Sequence, residues 1–183
     1  MRRLLAVLVA VGLGSLGATA VARAQGARFG IGGGLVAPTS AYGDFDKAGW
    51  HALGKVEFKV PMSPVGVRVD GMYGQTSHDD LFSPDGNTKF IGALANVVWS
   101  IPVAAPMVKP YLLAGGGVYN MKIKAPSQGI DDSETKFTWG AGAGLSLGAG
   151  LVHLFVEGRY LSVQTTGSSL KFLPLTVGVT FGS

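Results

Sequence analysis

The chain has 183 residues, with 15 Lys and Arg against 11 Asp and Glu, 29 glycines and no cysteine. The missing cysteine excludes a disulfide framework and a lipid-modified N-terminal cysteine. Arg2, Arg3 and Arg23 supply most of the basic surplus and lie at the N-terminal end, so the charge does not argue for nucleic-acid binding.

The first residues read as a secretory leader. Arg2 and Arg3 precede an apolar run from Leu4 to Leu16, and Ala22-Arg23-Ala24 is a small-x-small cleavage site before Gln25. This predicts a signal peptide over 1–24 and a single exported domain over 25–183. After it, no apolar run has the length a transmembrane helix needs.

Helix starts and stops are absent from the remainder. Runs of about ten residues alternate apolar with small or polar, which is strand periodicity. The alternation predicts strands at Arg28–Val36, Trp50–Val60, Val65–Gln75, Lys89–Ile101, Tyr111–Lys122, Lys136–Leu147, Val152–Val163 and Leu170–Phe181. Pro61–Pro64, Pro102–Lys109 and Gly148–Leu151 read as turns. Ala37–Gly49, Thr76–Thr88, Ile123–Thr135 and Gln164–Ser169 read as polar connectors on the opposite side. Alternating short turns and longer loops are the pattern of an outer-membrane barrel, with the short turns in the periplasm.

Two hairpins test this reading. With Val60 opposite Val65, Glu57 falls opposite Arg68 and Lys55 opposite Asp70, two pairs of opposite sign on one face. With Leu147 opposite Val152, Glu157 meets Gly142, Arg159 meets Gly140 and Phe155 meets Gly144, bulk against glycine. A narrow barrel filled by its own side chains needs such matching. The other face is apolar, and its aromatics near strand ends (Trp50, Tyr73, Trp99, Tyr111, Tyr119, Trp139, Tyr160 and Phe181) read as interfacial girdles. The fold class is therefore an all-β, eight-stranded antiparallel up-and-down transmembrane barrel, charged inside and apolar outside.

Pro110-Tyr-Leu-Leu-Ala-Gly-Gly-Gly-Val-Tyr119, Phe155-Val-Glu-Gly-Arg-Tyr160 and Leu173-Pro-Leu-Thr-Val-Gly-Val-Thr-Phe181 resemble the small eight-stranded outer-membrane barrel family that includes the OmpA transmembrane domain and the OmpX and OmpW types. The resemblance covers essentially all of the chain after the leader. It implies residence in the bacterial outer membrane, contact with lipid and lipopolysaccharide, and assembly by the barrel-assembly machinery through a terminal aromatic, here Phe181. In such proteins the aromatic usually ends the chain, whereas Gly182 and Ser183 follow it here.

The interior charges Lys55, Glu57, Lys59, Arg68, Asp70, Glu157 and Arg159 are the candidate functional set. Fully paired, they plug the lumen and make a closed or narrow porin-like barrel; Lys59 and a partner left unpaired would instead admit water and open a path for small solutes or ions. Two alternatives are an OmpW-like channel for small hydrophobic or ionic solutes, using Tyr42, Phe45, Leu81, Phe82 and Ile130, and a surface-interaction barrel acting through its acidic loops. No enzyme is expected. His51 and His153 fall on the interior face, and Ser77-His78-Asp79 reads as a solvated loop rather than a nucleophile with its base. Neither a cofactor nor a metal is expected: Asp79, Asp80, Asp131, Asp132 and Glu134 read as hydrated loop tips rather than a hard-cation site. Lys89, Lys122, Lys124 and Lys136 lie where lipid phosphates would meet the wall. A monomer without nucleic acid is expected.

Overall fold

A computed structural model describes residues 26–39, 48–77, 87–105, 107–125, 130–165 and 168–182. Eight strands follow one another: β1 (Ala27–Thr39), β2 (Gly49–Lys59), β3 (Val65–Ser77), β4 (Asn87–Ser100), β5 (Val108–Ala125), β6 (Ile130–Ala149), β7 (Val152–Thr165) and β8 (Ser168–Phe181). Each pairs antiparallel with its sequence neighbours, and β8 closes on β1, with Phe181 opposite Phe29 and Lys171 opposite Thr39. Closure leaves no free sheet edge, a condition for crossing a bilayer with strands. The proposed leader, the acidic residues Asp44, Asp46, Asp79, Asp80 and Asp85, and Ser183 lie outside the described residues.

The strand alternation sorts the side chains as expected in most positions. Ile31, Leu35, Val67, Ile91, Val97, Leu154, Leu175 and Val177 point outward and are exposed. A water-soluble barrel would present the reverse arrangement, so this wall suits lipid. Trp50 stacks obliquely on Tyr73, and Trp139 on Tyr160, each with ring centroids 5.7 Å apart toward the loop side. Trp99 and Phe181 mark the short-turn side, where strand ends meet the other interface.

Three expectations are corrected. First, Tyr111 and Tyr119 are not girdle residues: both turn inward and are buried. Position alone decides this, since each shares a strand face with inward Leu113 and Met121. Second, Ile123–Thr135 is mostly strand. β5 and β6 stay paired to Ala125 opposite Ile130, so this hairpin projects beyond the wall. Its polar residues signal water around a continuing ladder, not the end of pairing. Gln164–Ser169 likewise joins the ladder at both ends, with Gln164 opposite Ser169 and Thr165 opposite Ser168.

Third, the β6–β7 register differs from the expected one by two residues. Leu147 faces Leu154, Glu157 faces Gly144 and Arg159 faces Gly142. Gly150 adopts φ +74°, which permits a two-residue turn with Ala149 opposite Val152. A shift of two keeps every side chain on its face. The β2–β3 register is as expected, with Glu57 opposite Arg68 and Lys55 opposite Asp70. There the four-residue Pro61–Pro64 turn is closed by hydrogen bonds from Val60 N to Val65 O and from Ser63 N to Val60 O.

Candidate functional site

The lumen holds the candidate residues, and its contents change along the axis. On the loop side the inward face carries an apolar cluster beside buried His51, Thr76, Thr88 and Thr138: Leu53, Met72, Phe90, Tyr119, Leu161 and Phe172 pack together. Phe90 lies 5.8 Å from Phe172 and 6.1 Å from Tyr119, centroid to centroid. The space left among these side chains is ≈ 10 Å³, barely the room of one water. The expectation that apolar groups sit only outside is therefore corrected. Outward strands in lipid need apolar residues at every second position, but the inward positions are free to be either, so their polarity has to be read separately.

Toward the middle, four charged side chains meet across the lumen. Arg68 donates from Nη1 and Nη2 to the two carboxylate oxygens of Glu157, at 2.6 and 3.0 Å. Arg159 donates from Nε to Glu157 Oε1, and from Nη1 to Asp70 Oδ1 at 2.7 Å. Tyr111 Oη donates to Glu157 Oε2 at 2.7 Å, and Asn96 Nδ2 to Asp70 Oδ2 at 2.9 Å. Two guanidinium groups and two carboxylates balance. All four residues are at least 97% buried. A fork-shaped guanidinium can satisfy a carboxylate with two parallel bonds, which helps offset the cost of drying both.

Glu57, although directly opposite Arg68 in the ladder, does not pair with it. Arg68 instead reaches from β3 to Glu157 on β7. Neighbouring strands set which residues share a face, but in an eight-stranded barrel opposite walls are close enough for side chains to touch. Lys55, too, leaves Asp70 to Arg159 and Asn96. Its ammonium sits 3.6 Å from the centroid of the Phe155 ring, a cation–π contact. Phe155 has space because Gly32 and Gly178 flank it: a Cβ there would lie 2.9 Å and 2.6 Å from its ring.

Nearer the short turns lie Arg28, Glu57, Lys59 and Lys109, which share one cavity with Lys55 and Tyr111. Arg28 Nη2 donates to His153 Nδ1 at 2.8 Å. His51, higher in the lumen, bonds through Nε2 to Thr176 Oγ1 at 2.8 Å. Both histidines are thus buried and bonded within the barrel. Arg28, Asn96, Tyr111 and Phe155 join the site without having been singled out as lumen charges or their partners; for Arg28 and Tyr111 the signal was inward alternation with Val36 and Leu113.

Of the wall lysines, Lys89 and Lys122 are ladder partners. Lys136 instead pairs with Glu134 at 2.7 Å, and the side chain of Lys124 lies outside the described residues. So do the side chains of Tyr42, Phe45, Ser77, His78, Leu81, Phe82 and Ile130. Among the described residues, no three His, Cys, Asp or Glu side chains gather in a way that could hold a metal ion.

A closed eight-stranded wall, apolar outside and packed inside, agrees with the sequence comparison: residues 6–181 match the family described as outer membrane protein beta-barrel domain. The chain belongs to this outer-membrane β-barrel family. Membership places it in the bacterial outer membrane. The fold is similar to that of Neisserial surface protein A, with 18% identity, TM-score 0.69, and 87% of this chain and 98% of that one covered. It is similar also to Ail, the attachment invasion locus protein of Yersinia pestis, with 19% identity, TM-score 0.54 and coverage of 86% and 99%. A major outer membrane protein from Thermus thermophilus gives 12% identity, TM-score 0.55 and the same coverage. At these identities the likeness concerns the fold. No curated protein matches the chain.

Proposed function

We propose that this family member is a non-enzymatic, structural barrel whose lumen is closed to solutes. The carrying observation is the Arg68–Glu157–Arg159–Asp70 network, which ties β3 to β7 through the axis with its charges balanced. The apolar cluster above it is a second seal in series. Among the described residues Lys59 and Glu57 have no ion pair, but they lie below the network at the short-turn mouth, so water or an ion crossing the barrel would still have to break the first seal and wet the second. Export through a cleaved leader and assembly through Phe181, which ends β8 on the outer wall, complete the proposal. Lys89 and Lys122, side by side at the loop-side rim, would face the phosphates of lipopolysaccharide. Their joint replacement by Gln is expected to weaken its association with the purified barrel.

Planar-bilayer recording tests the closed lumen. The expected trace shows no reproducible unitary conductance. A defined conductance step that shifts on Arg68→Gln or Glu57→Gln would overturn the closed reading and establish a narrow channel instead.

A further inference from the structure

The short-turn mouth of the lumen differs from the network above it in charge balance. Arg28, Lys55, Lys59 and Lys109 line one cavity, and Glu57 is its one carboxylate among the described residues. Among those residues Glu57 makes no ion pair within 4 Å, so the excess of positive charge is not neutralised within the cavity. Arg28 is the decisive group. It is only 5% exposed, yet among the described residues its side-chain hydrogen bond goes to an imidazole nitrogen, His153 Nδ1, and not to a carboxylate. Accepting that bond at Nδ1 leaves the ring without a charge of its own to oppose. Among the described residues the buried Arg28 Nε has no hydrogen-bond partner. A buried guanidinium without a counter-charge is costly, and deeper in the same lumen Arg68 and Arg159 are each given a carboxylate.

The surroundings suit an anion. Ser100, Ser146 and Thr180 put hydroxyl donors on the same cavity. Lys59 and Lys109 are exposed at its rim, on side chains long and flexible enough to fold over a bound group. The cavity itself has room for ≈ 30 Å³. One or two oxygens can enter it toward Arg28 while the rest of the ligand stays among the rim lysines.

We propose that the periplasmic mouth of the lumen binds a small oxyanion, a phosphate or carboxylate group, between the buried Arg28 guanidinium and the Lys59 and Lys109 ammonium groups. The site lies below the ion-pair network and does not depend on whether the lumen conducts. Two sources offer this chemistry: a free periplasmic anion and the headgroup of an anionic phospholipid.

The test uses the full chain refolded in zwitterionic micelles and titrated with inorganic phosphate by calorimetry at low ionic strength, with chloride as control. Saturable binding is expected, weakened about tenfold or more by Arg28→Gln, since a charge-assisted bond to the anion is lost. Because Arg28 is buried and its variant can fail to fold, Lys59→Gln/Lys109→Gln at the exposed rim is the second variant, with heat-modifiable migration as the check of folding. It too is expected to weaken phosphate binding. Repetition in phosphatidylcholine nanodiscs with and without phosphatidylglycerol separates the sources. Unchanged phosphate binding assigns the site to a free anion, whereas competition by the lipid assigns it to a headgroup. No saturation with phosphate, or undiminished binding in the folded double variant, overturns the proposal.

Discussion

On the loop side of the lumen, Phe90, Phe172, Tyr119, Met72 and their neighbours pack as the core of a soluble protein would. A few residues lower, Arg68, Asp70, Glu157 and Arg159 fill the same bore with ions. The two regions occupy the same wall and belong to the same strands: Met72 and Asp70 are successive inward positions of β3, as Leu161 and Arg159 are of β7. Their energetics differ. Apolar packing is non-directional and tolerates exchange at constant volume. A buried network depends on every partner, because each unpaired charge bears its full desolvation cost. The loop-side half can therefore drift in sequence, whereas the central half specifies one arrangement of β3 against β7.

The largest test of this contrast removes the shared carboxylate. Glu157→Gln keeps the shape but leaves Arg68 and Arg159 without their common counter-charge. A loss of roughly 3–5 kcal/mol in unfolding free energy is expected. Urea unfolding in micelles, followed by the outward-facing Trp50, Trp99 and Trp139, reads it. A loss below about 1 kcal/mol would show that water reaches the network and that the central half is not a dry seal.

Phe172→Ala probes the other half. Phe172 is 7% exposed and packs on Phe90, so about 3 kcal/mol is expected from the lost burial and the cavity. Phe172→Leu should cost less than about 1.5 kcal/mol, because volume is largely kept. No conservative exchange at Glu157 should be tolerated comparably, and equal tolerance in the two halves would dissolve the comparison.

A smaller effect tests how the two halves share space with glycine. A Cβ on Gly144 would stand 2.4 Å from Tyr111 Cζ, and one on Gly92 would stand 2.4 Å from Tyr119 Cγ. Gly144→Ala must therefore push the Tyr111 ring, which holds Glu157, and a cost of roughly 1–3 kcal/mol is expected. The companion Tyr111→Phe removes the hydroxyl, so in that background Gly144→Ala should cost less, measured as a double-mutant cycle. Additive losses would mean that the ring yields without disturbing the carboxylate.

The same contrast explains what could be read from the residues alone. Strand number, order and closure were legible because period-two alternation repeats eight times and Phe181 ends a lipid-facing row. The β2–β3 register followed from a turn of fixed length. The Arg68–Glu157 pair did not, because it joins residues 89 positions apart across a bore whose stagger is set only when all eight strands close. Tyr111 looked like an interfacial aromatic by type, and only its place in the alternation with Leu113 marks it as inward. The apolar loop-side plug was hidden for a related reason. Inward Leu53, Met72 and Phe90 interrupt the small-or-polar face, and composition cannot tell an apolar residue in a lumen from one in lipid. The charge surplus around Arg28 was hidden because Arg28 begins the first strand, and the residues it meets, His153 and Lys109, lie far along the chain.

The smallest effect is expected where the geometry looks most like the centre. Lys136 and Glu134 approach to 2.7 Å, nearly as close as Arg68 and Glu157 at 2.6 Å, but the Glu134 side chain is 58% exposed whereas that of Glu157 is fully buried. Both pairs carry one positive and one negative group, so distance and charge are held nearly constant while burial changes. In water the attraction is screened, and the freedom lost by two long side chains offsets most of it. Glu134→Gln is therefore expected to alter stability by ~0.5 kcal/mol or less in urea unfolding, and by less again in about 1 M salt. Glu157→Gln should keep its full effect in the same salt, because mobile ions do not enter a dry network. A salt-sensitive Glu157 variant would mean that ions reach the centre of the lumen, and the closed barrel would then have to be read as a conducting one.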